Sequence, residues 1–522
     1  MKKLAIALFA LVLIASPLFA QGAKDATKTA SSDGPVTIEV WYGAAITEAG
    51  PIPEDWVGYD IVRDELNINL VLTALPSNEN DQDVRIQAAG AANDLPDLFM
   101  VRRPVLQNLV RQGLVAPVDD YYALMPHRTE VMYDESSIRM STIDGESFGF
   151  ASPGAVVRNE GILIRKDWLD NLGLEIPTTT EELRDVLRAF TFDDPDGNGR
   201  NDTWGYGAFV ESDMNINGYP GSRFFPLLGA FDVAGLWSFD GDHLGLNVYR
   251  PEFYDAMVYI RSLIEEGLVD PNWLSYRKDD FRAAWKQGRF GVMKEQNAAF
   301  AGEANYAPFD ANFPDGEWIV IDAIEGPEGY AAVGAYDQNY RIFAISQEAV
   351  DAGKAEKICE LLEWMSSDEG YLLCGWGVEG VNYVLDENGI PSAGDLGDMA
   401  FSGTQGQVYT QLRNMVFYNS DTELASRYPT YTTASGKTMS ALTTLREMQE
   451  KEWIPAIGSG MMPTPNADVF RYFEQSLAEF LSGQKALTPE NWQAFLDAFD
   501  KIGGAAWNEE GIAYAQENGL VY

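Results

Sequence analysis

Apolar residues recur along this chain with two different periods, and the two periods alternate. In VTIEVWYGAA, Val36 to Ala45, Ile38, Val40 and Tyr42 share one face at period two, which predicts a strand. INLVLTAL predicts a second strand, DVRIQAAGAAND a helix, LPDLFMV a short buried strand, and VLQNLVRQG a helix ending on Gly113. Ile162 to Ile164 reads as a strand and Lys166 to Leu172 as a short helix. Thr179 with Glu182 then forms a capping box for a helix running to about Phe190. EFYDAMVYIRSLIEEG turns Met257, Ile260 and Ile264 to one side and ends on Gly267, and DDFRAAWKQGRFGVM is a helix closed by Gly288 and followed by a strand. NYRIFAIS is a strand, AGKAEKICELLEWMSS and DEGYLLCGWG are helices, and the C-terminal third reads as mostly helical. This alternation argues for an α/β protein with largely parallel sheet.

The first residues do not belong to that pattern. Lys2 and Lys3 precede an apolar run from Leu4 to about Ile14, and Ala20 offers a small residue for cleavage, which predicts a secretory signal peptide. No Cys follows the run, so a lipid-modified terminus is not expected. Residence between two membranes is expected instead, with an uncleaved anchor as the alternative. No later stretch reaches the roughly 18 uninterrupted apolar residues of a membrane span. With 522 residues the chain is too long for one core, so at least two lobes are expected. The net charge of −42 becomes −44 once Lys2 and Lys3 are removed, a field that repels nucleic acid and anionic membranes. Cys359 and Cys374 leave a disulfide and two buried thiols both open, and His127 and His243 fall in no metal or triad motif.

One short stretch carries explicit chemistry. In FDDPDGNGRNDTWG, Asp194, Asp196, Asn198 and Asp202 fall at positions one, three, five and nine of a loop, with Gly199 at six and the Arg200 carbonyl at seven. That is the spacing of a Ca2+ loop with hard oxygen ligands. Gly205 stands where a bidentate Glu is usual, which leaves Thr203 or water to complete the shell. A helix precedes the loop but strand and turn follow it, so a static clip is expected rather than a two-helix switch. An Asx-rich turn without metal is the alternative.

Several phrases, taken in order, resemble the extracellular solute-binding proteins of ABC importers, in the large-lobed branch that includes oligosaccharide receptors. They are DLPDLFMV, GLVAPVDDYY, the run from SFGFASPG to DTWGYGA, FRAAWKQGRFGVM, KAEKICELLEWMSSDEGYLLCGWGVEGVNY and LSGQKALTPENWQAFLDAFDKIGG. The resemblance implies an α/β, two-lobed periplasmic-binding-protein fold of type II, with hinge crossovers and a helical C-terminal region. Beyond the signal peptide read over 1–20 and a polar, flexible leader over 21–35, it implies a first lobe over 36–157 plus 334–383 and a second lobe over 158–333 plus 384–522. It also implies an oligosaccharide or other small-molecule ligand, a membrane permease as partner, a monomer, and a structural Ca2+ in the loop.

Sugar clefts need aromatic faces and forked polar side chains. Trp41 and Tyr42 end the first strand, where a parallel sheet presents its binding edge. Arg102 and Arg103 follow the LPDLFMV strand, and Arg158 with Asn159 stands at the expected crossover. Three arginines converging there suggest an acidic or sulfated saccharide. Trp376 and Asn382, in a Gly-rich turn, join them as candidates. By resemblance so do Arg223 and Phe225 in GSRFFPLLGAF, and Asn297 and Phe300 in KEQNAAFAGE. Trp237 is expected on a surface hairpin. A secreted hydrolase or lyase, a peptide receptor and a calcium-stabilised adhesion protein are the competing readings. The 79 acidic residues offer carboxylate pairs anywhere, so composition does not select the enzyme.

Overall fold

Nine strands set the frame: β1 (Val36–Tyr42), β2 (Ile68–Ala74), β3 (Leu98–Val101), β4 (Phe150–Pro153), β5 (Glu160–Arg165), β6 (Trp204–Tyr206), β7 (Phe290–Gln296), β8 (Trp318–Ile321) and β9 (Tyr340–Ile345). They are seen in a computed structural model that describes residues 34–521 apart from 154–159, 211–221, 234, 242, 334, 337–339, 456–461 and 464. The expected signal peptide and most of the leader lie outside the described residues. Among the described residues no helix is long and apolar enough to cross a membrane.

The strands form two sheets. The first has the order β2-β1-β3-β9-β4 and the second β8-β5-β7-β6. Neither is largely parallel, contrary to expectation. β1 runs parallel to β2 and β3, but β9 is antiparallel to both β3 and β4. In the second sheet only β7 and β6 are parallel. The cause is connectivity: the chain enters the second sheet from the end of β4, and β9 returns to the first sheet against the direction of β3. As a result Tyr42, Ala74, Val101, the end of β4 and the start of β9 all lie along one edge.

The period-two reading of β1 holds. Ile38 and Val40 are fully buried and Tyr42 nearly so, and they pack with Leu98, Phe343, Ile358 and Leu361. The helix Thr180–Phe192 buries Leu183, Val186, Leu187 and Phe190, a stripe at helical spacing. Thr179 caps it by accepting from the Glu182 backbone, while the Glu182 carboxylate closes on the backbone and hydroxyl of Thr178.

Three expectations are corrected. Leu412, Met415, Val416 and Phe417 pack in the core of the first sheet, so the chain after residue 383 does not belong wholly to the second lobe. In the C-terminal third, read as mostly helical, the helix Asp421–Arg427 is followed by other structure. A two-stranded ribbon, Tyr431–Thr432 with Thr438–Met439, precedes the helix Ala441–Gln449. Pro429, the threonines on either side of Tyr431, and Gly436 at φ +83° disfavour continuing helix there. Trp237 sits on a hairpin as expected, but its ring is buried, 5.3 Å from Trp507 and 5.7 Å from Phe239. A tryptophan packed this way contributes about 3–5 kcal/mol relative to alanine. Cys359 and Cys374 are free and buried, and burial pushes both thiols up to about 12, so neither is reactive near neutral pH.

The helix Gly504–Glu517, absent from the sequence reading, ends beside the first sheet's helix Arg103–Arg111. There Asn518 accepts from Arg103 at 2.9 Å through its side-chain oxygen, and Gln107 donates to the same atom.

β6 lies hard against the helix Thr180–Phe192 at Gly205. A Cβ there would stand 2.6 Å from Leu187 Cα and 2.6 Å from its carbonyl oxygen, and backbone cannot yield as a side chain does. Gly205→Ala should therefore lower the free energy of unfolding by about 1–3 kcal/mol, as overpacking does. Chemical denaturation measures it. An unchanged midpoint would mean that strand and helix are not in contact.

Candidate functional site

The shared edge of the first sheet is where a parallel arrangement leaves backbone groups open to a ligand. The loop after β1 is held there from outside. Gln411, fully buried, accepts from Ile46 N at 2.9 Å and donates to Ile46 O at 2.7 Å and Gly50 O at 2.6 Å. Asn414 reaches Gly43 O at 3.4 Å, and Arg413 reaches Ala45 O at 3.5 Å. At the crossover, Arg341 donates to Pro153 O at 3.0 Å. Arg341, Arg413 and Asn414 all keep partial exposure.

The corresponding edge of the second sheet is closed by charge. Arg223 meets Glu295 at 3.0 Å and Glu160 at 3.5 Å, Lys294 pairs with Glu160, and Arg282 meets Glu295 at 3.0 Å. Burial would raise the Glu160 carboxyl, but Lys294, then Arg223 and Arg282, outweigh it and hold its pKa below the usual range. Arg223, Lys294 and Glu295 are almost wholly buried, and this knot carries three cations for two carboxylates. Removing Glu160 would leave the buried Lys294 without its carboxylate, at a cost of about 3–5 kcal/mol. Glu160 begins where the crossover 154–159 ends, so both sheet edges meet that connection.

Most of the residues singled out from sequence are consumed by these structural tasks. Tyr42 is buried, with its hydroxyl accepting from Ile52 N at 3.3 Å. Arg103 is buried and donates to the carbonyls of Arg139, Met140 and Thr142. Arg223 belongs to the knot. Asn297 is buried and donates to Ala441 O at 2.9 Å, and Phe300 packs between Tyr306 and Trp285. Trp376 is 1% exposed, 4.9 Å from Phe417 and 5.2 Å from Tyr371, with its indole N–H on Ser426 at 2.8 Å. Asn382 is buried and braces its own turn, accepting from Val378 N and donating to Met399 O. None of these offers a free face.

Trp41 remains half-buried. Its indole N–H donates to Glu39 at 2.8 Å, and the Arg85 guanidinium lies 4.3 Å over the ring. Arg102 is 29% exposed and forks onto Asp83, its Nε 3.1 Å from each carboxylate oxygen, so it is a paired cation. Arg158, Asn159 and the Phe225 side chain lie outside the described residues, although the Phe225 backbone opens the helix Phe225–Gly229. The convergence of Arg102, Arg103 and Arg158 is therefore corrected for its first two members. The sequence reading passed over Arg341, Arg413, Asn414 and Gln411, whose only linear signal is the polar pair at Arg413 and Asn414 inside an apolar segment.

The Asp-rich loop lies between the helix Thr180–Phe192 and β6. Asp194 adopts φ +51°, and Gly197 and Gly199 are left-handed as well, so the backbone curls around its own side chains. Asp194 accepts from Asn198 N at 3.0 Å and Gly199 N at 2.9 Å. The Asn198 amide bridges Asp196 at 2.8 Å and Asp202 at 3.1 Å. Partial burial, together with the neighbouring Asp202 and Asp194 charges, raises the Asp196 pKa. As they stand, no three of these acids, or of any His, Cys, Asp and Glu among the described residues, converge on a metal position. Thr203 does not face the loop: it is buried and donates to Phe190 O at 2.8 Å. The missing Glu at position twelve has a steric cause, because Gly205 is pressed against Leu187 and no side chain fits there.

Comparison with known proteins agrees with this architecture. The polygalacturonan/rhamnogalacturonan-binding protein YtcQ of Bacillus subtilis (strain 168) is 27% identical over 334 residues, 62% of each chain, so the match spans less than two thirds of that relative's length. An extracellular solute-binding protein from Bifidobacterium longum subsp. infantis superposes with a TM-score of 0.68 at 17% identity, covering 94% of this chain and all of its own. The EF-hand mutant of the S. pneumoniae ABC-transporter substrate-binding protein FusA, in complex with fructo-nystose, gives 0.61 at 18% identity over 93% and 99% of the two chains. These neighbours share the two-lobed fold. The family model for bacterial extracellular solute-binding proteins matches residues 59–371, more than half of the sequence, and the chain belongs to that family.

Proposed function

We propose that the protein is the solute-binding component of an ABC importer, exported beyond the cytoplasmic membrane. It captures an oligosaccharide between its two sheet edges and delivers it to a membrane permease. The observation that carries this reading is the meeting of both edges at one crossover. Pro153 and Glu160 are only seven residues apart in the chain, which limits their separation to about 25 Å and supports one cleft bordered by both edges. Closure over ligand follows when the ligand binds the closed arrangement more tightly, and the closed shape is what the permease recognises. The names of the relatives, which include binders of polygalacturonan and of fructooligosaccharide, support the ligand class. Trp41, Arg102, Arg341, Arg413 and Asn414 line the first-lobe wall in this reading, since each keeps exposed surface at the edge.

The loop takes one structural Ca2+ in the same proposal. Asp194, Asp196, Asn198 and Asp202 side chains with the Arg200 carbonyl would hold it. The fit rests on the left-handed turns at Asp194, Gly197 and Gly199 that gather the acids, and on their hard oxygen donors. The Asn198 amide now occupies the bridging position that a cation would take over. The ion would tie the connection between helix and β6 to the lobe and would contribute no chemistry to binding.

Two experiments test these readings. Titration with a panel of oligosaccharides should give binding with a smaller radius of gyration and no cleavage products, and Trp41→Ala should weaken it by about 1–3 kcal/mol. Cleavage of a bound glycan would make the protein an enzyme instead. Chelation should lower the melting temperature, since an ion at a hundredfold excess over its Kd contributes about 2.7 kcal/mol. Combining Asp194→Ala and Asp196→Ala should remove that sensitivity, and a chelator-indifferent wild type would rule the metal out.

A further inference from the structure

Gln411 is a polar side chain in an apolar setting. It is fully buried, and Leu412, Met415 and Val416, next along the chain, pack in the core of the first sheet. Its amide is used to capacity. Oε1 accepts from Ile46 N at 2.9 Å, while Nε2 donates to Ile46 O at 2.7 Å and to Gly50 O at 2.6 Å. One N–H and two carbonyls are what a primary amide satisfies. A carboxylate would meet two acceptors there, and an apolar side chain would serve none of the three.

The groups it holds lie 365 positions earlier in the chain, in the loop that follows Trp41 and Tyr42 at the end of β1. That loop runs from Gly43 through the single turn Thr47–Ala49 to Gly50, which is left-handed at φ +82°. Its own ties are Ala49 N to Ile46 O at 3.2 Å and Ile52 N to Tyr42 Oη at 3.3 Å. The neighbours of Gln411 lean the same way, Asn414 toward Gly43 O at 3.4 Å and Arg413 toward Ala45 O at 3.5 Å. At the other end of this short strap, the fully buried Arg128 donates to Met415 O at 2.6 Å. Arg128 is itself fixed by Tyr133 Oη at 2.7 Å and Ser366 Oγ at 2.9 Å. Residues 411–415 are thus pinned to the lobe at one end and to the β1 loop at the other.

We propose that Gln411 is a positioning residue for saccharide binding. It touches no ligand, and it holds residues 43–50, with Arg413 and Asn414 beside them, in the arrangement that receives the sugar at the sheet edge. The proposal rests on the receptor reading above. A loop ordered before the ligand arrives takes no ordering cost from binding. A loop in its binding arrangement only about a tenth of the time would lower affinity about tenfold.

Calorimetric titration of the full chain tests it, with kestose, galactotriose and trigalacturonate as probes and the tightest binder carried forward. Gln411→Met, similar in shape but without the amide, should weaken binding about tenfold. Amide exchange over residues 43–50 should quicken in that variant and slow again once the probe is bound. Gln411→Glu adds a readout that a purely structural role would not move. Near about pH 8 its carboxylate faces two carbonyls and the loop is released. Near about pH 5 the burial-raised carboxyl is neutral, donating to one carbonyl and accepting from Ile46 N. Its affinity, taken as a ratio to the parent at each pH, should therefore be poor at the higher pH and recover at the lower. Both variants binding as tightly as the parent at about pH 8 overturns the proposal, whatever their melting temperatures, and leaves the receptor standing. Should Gln411→Met fail to fold, a flat affinity ratio for Gln411→Glu across that pH range overturns it alone. Binding of no probe to the parent overturns the receptor reading, and the positioning role falls with it.

Discussion

The direction of β9 is the constraint on which the site depends. β9 lies between β3 and β4 and runs against both, so its first residue falls beside the ends of β1 and β3 rather than at the opposite edge. The chain therefore leaves the first sheet at Pro153 and re-enters at Tyr340 on one side of it. Had β9 run parallel to β3, the return would lie at the far edge, and a hinge could not share its border with the open strand ends. In the proposed receptor the ligand edge and the ends of the chain crossings then share one side of the sheet.

Electrostatics sharpen the contrast between the two walls. At the second sheet, three cations and two carboxylates pair with one another, and Arg223, Lys294 and Glu295 among them are almost wholly buried. Such a knot is weak evidence for net stability, because desolvation offsets most of the attraction, yet loss of a carboxylate from it is costly. At the first sheet Arg341 and Arg413 donate to carbonyl oxygens instead, while Arg102 is paired with Asp83.

Local pattern in the sequence identified β1, β3, the helix Thr180–Phe192 with its Thr179 cap, and the acidic loop, since each depends on residues within a few positions of one another. The site was far less legible. Arg102 and Arg103 are neighbours in sequence, yet one forks onto a surface Asp and the other is buried among carbonyls that include Met140, far along the chain. Trp376 looked exposed because glycines flank it, but Tyr371 and Phe417 close over its ring. Arg341, Arg413 and Asn414 reach the first sheet's edge only through tertiary packing, so no spacing rule could join them. The absent Glu of the loop was visible, but its reason, the proximity of Leu187 to Gly205, was not.

The strand order has a consequence for biosynthesis. β3 gains its second neighbour only when β9 emerges, after every strand of the second sheet has been made. Until then the first lobe cannot bury Phe99 and Val101 against Ile342 and Ala344, and Arg103 waits still longer for Asn518. Contacts this distant in sequence form slowly. A nascent chain that cannot close its first lobe early stays threadable, which suits passage through a translocation channel that admits only unfolded polypeptide, and native structure is deferred to the far side.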